Sequence, residues 1–522
     1  MAQQSVQVLD TQPGTARTSP AGWLVLGLVL LAAAVVAAGI VAITRPSPSA
    51  ASVSVRAREP QAPTSVVGGS PAIASASAAR TLLATAPAAV VASTANRADL
   101  AAAAAIARRA HAPMLLIPPS AAAGQVAALR SAIRALTPAA VLGIGVTRRA
   151  LAADLPGVHL VSSAGALPVT AAAAPMRNVV VMVHTGTSAA ATALAIAATA
   201  TARAAGARVI DLPGYDPRAD ATAIRALAAA RPQRIVAVGA GFGSASLVSG
   251  RVAVAETGVQ LPGGGQVLFP GRRIIALYGA PGTPALGVLG HQGLTASIAR
   301  AKATAAQYAR LVKVPVIPSF EIIATVAQAS AGRLGIYSFE STAKSLRPWV
   351  TAASKAGLYV TLDLQPGRGS LLAQAKRYQS LLRLPDVGLA LDPEWKLQPR
   401  QLPLHQIGSV NVTEVNSVVS WLAALTARYH LPQKLLELHE FRLTMIRDIA
   451  GLDTHHDDLA IVINMDGQGA PGTKQQTWQV VVANAPKGVY FGWKDFYTKD
   501  TPMLGPARTI RHRPTPMLIS YQ

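Results

Sequence analysis

Cysteine is absent from this 522-residue chain. That excludes disulfides, thiolate metal sites, Fe–S clusters, thiol nucleophiles and a lipid-modified cysteine. Acids are also scarce, with 24 Asp and Glu against 47 Lys and Arg, a formal net charge of +23, and only 4% of residues are aromatic. The positive surplus is spread along the chain rather than gathered in an Arg-rich arm, and no nucleic-acid-binding module is recognisable. Nucleic acid is therefore not expected as a partner, while anionic lipid and anionic wall polymers remain. No Gly-x-Ser-x-Gly elbow occurs, which weighs against a serine hydrolase of that type.

What is present is apolar. Hydrophobic residues make up 51%, most of the excess is alanine, and the Ala–Arg bias suggests a high-GC genome. The length calls for two or three domains. Residues 1–21 are polar and predicted to be disordered. Residues 23–43 carry no charge, enough to span a bilayer core and longer than a usual signal-peptide core, so residues 22–44 are predicted to be a retained single-pass anchor in a lipid bilayer. Residues 45–78, rich in Pro, Ser, Ala and Val without a period, read as a linker.

Short apolar strands then alternate with Ala-rich helices over residues 79–255. Strands are expected at 88–93, 113–117, 139–146, 158–162, 179–183, 208–212 and 234–238. This pattern predicts a Rossmann-like α/β domain with parallel sheets covered on both faces. Within it, AVVAST, ANRADLAAAAAIA, APMLLIPP and PAAVLGIGV follow one another between residues 89 and 146. Together they resemble the cell wall-binding repeat 2 family. Asn96 and Asp99 match the family's Asn-Phe-Pro-Asp-Ala stretch, while Arg97 and Ala98 replace its Phe-Pro pair and Gly143-Ile144-Gly145 stands where the family has Gly-Gly. The resemblance implies wall association and places the bulk of the chain outside the cytoplasm. The charge count around the anchor points the other way, since Arg45, Arg56 and Arg58 follow it and only Arg17 precedes it.

Residues 256–272, with Pro262-Gly263-Gly264-Gly265 and Pro270-Gly271, mark a second linker. Beyond it eight strands are expected, at 274–278, 314–325, 358–362, 387–391, 435–439, 459–464, 488–493 and 516–521. Helices are expected between the first seven, around 294–312, 342–356, 370–382, 412–429, 442–450 and 474–484. The size and period match a (β/α)8 barrel over residues 273–522, with an open doubly wound sheet as the alternative.

Polar residues cluster at the strand ends, where a barrel would gather them on one face. Glu321 lies on strand two, Asp363 and Gln365 end strand three, and Asp392, Glu394 and Trp395 follow strand four. Glu437, His439, Glu440 and Arg442 end strand five, Asn464 and Asp466 end strand six, Trp493 and Asp495 end strand seven, and Tyr521 closes strand eight. Converging carboxylates with tryptophans suggest glycan chemistry, because indole stacks on the apolar face of a sugar and hydrolysis needs a proton donor and a second carboxylate. Glu394 or Glu440 is the candidate acid, Asp392 or Asp466 the nucleophile or base, and the other residues are candidate substrate contacts. The layout resembles glycoside-hydrolase barrels only in general form.

Each residue also has a structural reading. Asp363 and Asp392 can cap turns, Glu437 and His439 can form a buried stabilising pair, and Trp395 and Trp493 can be packing. A non-catalytic adhesin or scaffold is the alternative function. No metal or other cofactor is expected. Asp453-Thr454-His455-His456-Asp457-Asp458 precedes strand six and reads as a solvated loop at the opposite end of the barrel. Gly239-Ala240-Gly241-Phe242-Gly243 lacks the phosphate-loop spacing and reads as a tight turn. Arg508, Arg511, His512 and Arg513 read as either an anion contact or a basic surface loop.

Overall fold

The structure is a computed structural model that describes residues 53–522. The expected disordered start and the bilayer anchor at 22–44 lie outside the described residues. Among the described residues no helix is long and apolar enough to cross a membrane.

The first part holds two four-stranded parallel sheets. One runs Met114–Ile117, Ala88–Ser93, Ala140–Ile144, Leu160–Val161. The other runs Ala207–Leu212, Met176–His184, Arg234–Val238, Thr64–Val67. The two share one layout, with the first strand of each unit at an inner position and the second and third on either side of it. The fourth position differs. Leu160–Val161 follows its own unit in sequence, whereas Thr64–Val67 comes from before both units. The segment expected as a linker at 45–78 is therefore corrected from residue 56 onward, since Arg56–Ala57 already pairs antiparallel with Leu83–Thr85. Thr64–Val67 completes a sheet, and the helix Pro71–Leu82 is capped by Ser70 and buries Ala74, Ala78, Ala79 and Leu82. Its alanines join Val91, Leu115, Val181 and Val236 in one core. Alanine hides such a helix from a search for large apolar residues, because a thin helix fits between two sheets without them.

The second part is a closed barrel. Its strands are Arg273–Gly279, Val316–Ala327, Tyr359–Leu364, Val387–Leu391, Lys434–His439, Leu459–Met465, Tyr490–Asp495 and Leu518–Tyr521. All eight are parallel, and the last pairs with the first, Ile274 opposite Leu518 and Leu277 opposite Tyr521. That closure rules out the open sheet. One short antiparallel strand, Ser338–Glu340, extends the second barrel strand. The helix expected at 442–450 is absent; Ile446–Arg447 instead forms a short parallel ladder with Val410–Asn411. The span 256–272 is not a loose linker either. Leu261, Leu268 and Phe269 pack under the barrel with Ile274, Leu435, Val462 and Leu518.

The loop at 453–458 lies on the bottom of the barrel as expected, but it is not simply solvated. Asp457 accepts from Arg218 at 2.6 Å and from Arg251 at 2.7 Å, and Asp216 adds a 2.8 Å contact to the buried Arg218. Burial opposes ionisation of Asp457, yet Arg251 and Arg218 more than offset it and hold its carboxyl below the ordinary range. Its contribution is thus fully present above the ordinary carboxylate value of about 3.9 and is lost as pH falls through the depressed value. Asp457→Ala should cost about 1.5–3 kcal/mol, the worth of hydrogen bonds to a charged partner. Urea unfolding at pH 7 and at pH 3 reads it, with the wild-type advantage shrinking at the lower pH.

Candidate functional site at the barrel mouth

Side-chain alternation gives every barrel strand an outer and an inner face. The outer residues, among them Leu277, Ile322, Leu362, Leu391, Leu438, Ile463, Trp493 and Tyr521, belong to one core with the surrounding helices. The inner residues begin apolar at the bottom, with Ile274, Ile317, Leu435 and Leu518. Higher up they turn polar and stay buried: Tyr278, Glu321, Asp363, Glu437, His439, Asn464, Lys494 and Ser520. Gly492 is required on this inner face, since a Cβ there would sit 2.8 Å from Asn464 Oδ1.

His439 is the hub. Its Nε2 lies 3.0 Å from Glu321 Oε1, 3.8 Å from Glu437 Oε1 and 3.9 Å from Asp363 Oδ1, and its Nδ1 lies 3.1 Å from Asp466 Oδ2. The Tyr278 hydroxyl donates to Asp363 Oδ2 at 3.0 Å and accepts from Gln365 Nε2 at 3.2 Å. Asn464 Nδ2 donates to Glu437 Oε1 at 2.6 Å and to Ser520 Oγ at 3.3 Å. The Lys494 ammonium stands 3.4 Å from the centre of the Tyr278 ring.

Crowding so many acids below the surface pushes their ionisation apart. Burial raises Asp363 to about 6, with Glu321 adding to the rise and His439 opposing it. Burial and Glu394 drive Asp392 well above the carboxylate range, and burial with Glu321 does the same to Glu437. Burial disfavours the charged forms of His439, Lys494 and Asp466, but neighbours of opposite sign win. His439 is raised by Asp466, Lys494 by Glu321 and Asp466, and Asp466 is lowered by His439 and Lys494. Glu394 sits at about 7, raised by burial and then by Asp466.

Above this layer opens a cavity of 810 Å³. Glu394 and Asp466 line it with Gln365, Trp395, Arg442, Tyr278 and Lys494, and its rim carries Phe441, Phe496 and Tyr497. Glu394, with its carboxyl raised to about 7, therefore shares the cavity with Asp466, whose carboxyl His439 and Lys494 hold low against the penalty of burial. Such a split pair can give and take protons, and the aromatic rim can hold a ligand's apolar face.

Of the sequence candidates, Gln365, Glu394, Trp395, Arg442 and Asp466 reach the cavity, while Glu321, Asp363, Glu437, His439 and Asn464 form the layer behind it. Asp392 and Glu440 are buried and do not line the cavity. Asp392 caps no turn with its side chain, and Asp363 is bonded to Tyr278 instead. Trp493, Asp495 and Tyr521 belong to the outer face and are corrected. Trp493 stacks on His512 and donates to Asp495 at 2.7 Å, and Tyr521 bonds Tyr308 at 2.6 Å. His512, driven down to about 4 by burial and by Lys474, packs here on Trp493 and Trp478. Lys494 and Tyr278 were missed. Alternation could have found Lys494, since it lies one residue from both Trp493 and Asp495 and shares the face of Gly492.

The Gly239–Gly243 stretch is a filled turn as expected, for a Cβ on Gly241 would come 2.5 Å from the Tyr215 ring. Among the described residues, Glu321, Glu437 and His439 are the group whose ligand atoms all lie within 4.8 Å of one another, close enough to share a metal ion. No family model, no curated protein and no solved structure matches the chain.

Proposed function

We propose that this is a membrane-anchored cell-envelope protein whose α/β part associates with the bacterial wall and whose barrel hydrolyses an envelope glycan by acid/base catalysis. One observation carries the catalytic reading: Glu394 and Asp466 face the same 810 Å³ cavity, with Trp395 and Phe496 on its walls. In this reading Glu394 donates a proton to the glycosidic oxygen. Asp466 serves as the nucleophile or base, and the aromatic side chains hold the sugar rings. Restricting the roles to these two residues follows from their access, since Asp392 and Glu440 are shut off from the cavity.

The wall and membrane parts rest on the sequence resemblance and on the apolar run at 22–44. The test is a hydrolysis and binding screen of the detergent-solubilised full chain on wall glycans. Glu394→Gln and Asp466→Asn serve as controls. Turnover by the wild type and binding without turnover by the variants is the expected result. Binding without turnover by all three proteins would instead favour the non-catalytic scaffold.

A further inference from the structure

We propose that Glu321, Glu437 and His439 bind a first-row divalent metal ion of the Zn2+ or Mn2+ class, beneath the floor of the cavity. The three residues arrive from the second and fifth barrel strands, and His439 Nε2 lies 3.0 Å from Glu321 Oε1 and 3.8 Å from Glu437 Oε1. Ligand atoms held at roughly 2.0–2.2 Å from one ion stand about 3.0–3.5 Å apart in tetrahedral or octahedral geometry. All the ligand atoms lie within 4.8 Å of one another, so the carboxylates must draw closer to close on an ion.

An independent observation points to a missing cation. Glu321 is fully buried, and neither of its carboxylate oxygens accepts a hydrogen bond; Glu437 Oε2 and Asp363 Oδ1 are equally without a partner. Buried carboxylate oxygens are costly in that state. A proton on His439 Nε2 can serve only one of the three acids that face it. The Lys494 ammonium is turned onto the Tyr278 ring. A divalent ion placed among Nε2 and the carboxylates meets several of these oxygens at once.

The surroundings resemble a supporting shell. Asp466 Oδ2 lies 3.1 Å from His439 Nδ1 and can keep a proton there while Nε2 gives up its own to coordinate. Asn464 holds Glu437 Oε1 at 2.6 Å. Two carboxylates and an imidazole without a thiolate suit Zn2+, Mn2+ or Fe2+ rather than Cu+. Glu437 and His439 share one strand, but Glu321 lies far upstream, so no short metal motif marks the set.

This site does not depend on the glycan reading, and its test reads metal rather than turnover. The full chain in detergent is stripped with a chelator and titrated with Co2+, followed by its visible absorption, and with Zn2+ in a calorimeter. One equivalent of each is expected, with the Co2+ bands lost on adding Zn2+ and the melting temperature raised by Zn2+. Asp466→Asn should weaken Zn2+ binding by roughly 10–100-fold, as loss of a supporting partner does. The Glu321→Gln/Glu437→Gln variant should bind none at this site. Buried substitutions can unfold the barrel, so the wild-type titration stands by itself. No absorption and no stoichiometric uptake by folded wild type overturns the proposal, as does unchanged binding in a double variant whose circular dichroism is native.

Discussion

Glu394→Gln should lower turnover of a glycan substrate by about 10²–10⁴-fold, the usual worth of a positioned general acid. It should also remove the alkaline limb of the pH–rate profile. Burial first, and the nearby Asp466 next, raise the Glu394 carboxyl to about 7. An acid that must donate is active only while protonated, so wild-type kcat should be level below that value and fall about tenfold per pH unit above it. Glutamine keeps the shape of the side chain but carries no transferable proton, so the variant's residual rate should lose this descending limb. A leaving group that needs no protonation, such as a nitrophenolate, should recover much of the lost rate in Glu394→Gln and none in Asp466→Asn. Equal damage to both substrates would remove Glu394 from the acid role.

How much of this was readable beforehand differs between fold and site. The strand positions were legible because parallel strands buried on both faces are nearly continuous apolar runs; residues 179–183 and 387–391 are examples, and they fall within the observed Met176–His184 and Val387–Leu391. Closure of the barrel was expected from the count of eight strands, with the open sheet left as an alternative because closure depends on Leu518–Tyr521 meeting Arg273–Gly279 from the other end of the domain. The strand at Thr64–Val67 was missed for a similar reason. Four residues with two polar members look like linker until a distant neighbour, Arg234–Val238, supplies the other half of the ladder.

At the site, the convergence of Glu321, Asp363, His439 and Asp466 was foreseen from strand-end acids, since a barrel brings such positions together whatever their separation in sequence. Which face each residue takes was foreseen where an acid alternated with aliphatic neighbours, as at Glu437 between Leu436 and Leu438. It failed on the seventh strand, where Trp493 and Asp495 look more functional than Lys494. There the outer face needs a large ring against Trp478 and His512, and Asp495 is held by the indole N–H.

Lys494→Met should destabilise the barrel by about 3–5 kcal/mol, the cost of leaving buried charge without its partner. Against a total stability of about 5–15 kcal/mol for a domain, that is a large share. Methionine nearly preserves the length and volume of the side chain, so packing against Tyr278 is not the main loss. The loss is electrostatic. The buried ammonium is held in its charged form by Glu321, Asp466, Asp392 and Asp363 against the penalty of burial. His439 is also raised beside these acids, but removing Lys494 leaves their mutual repulsion less opposed. The charge account makes a second prediction that packing does not. Asp466 carries a negative charge, its carboxyl held low by His439 and Lys494 against the penalty of burial, so Asp466→Asn removes that charge with little change in shape. Added to Lys494→Met, it should restore part of the lost stability, giving a coupling energy of opposite sign to the single losses in a double-mutant cycle. Urea unfolding of the four proteins at one pH measures it. Strictly additive effects would mean that Lys494 matters for its stem and not for its charge.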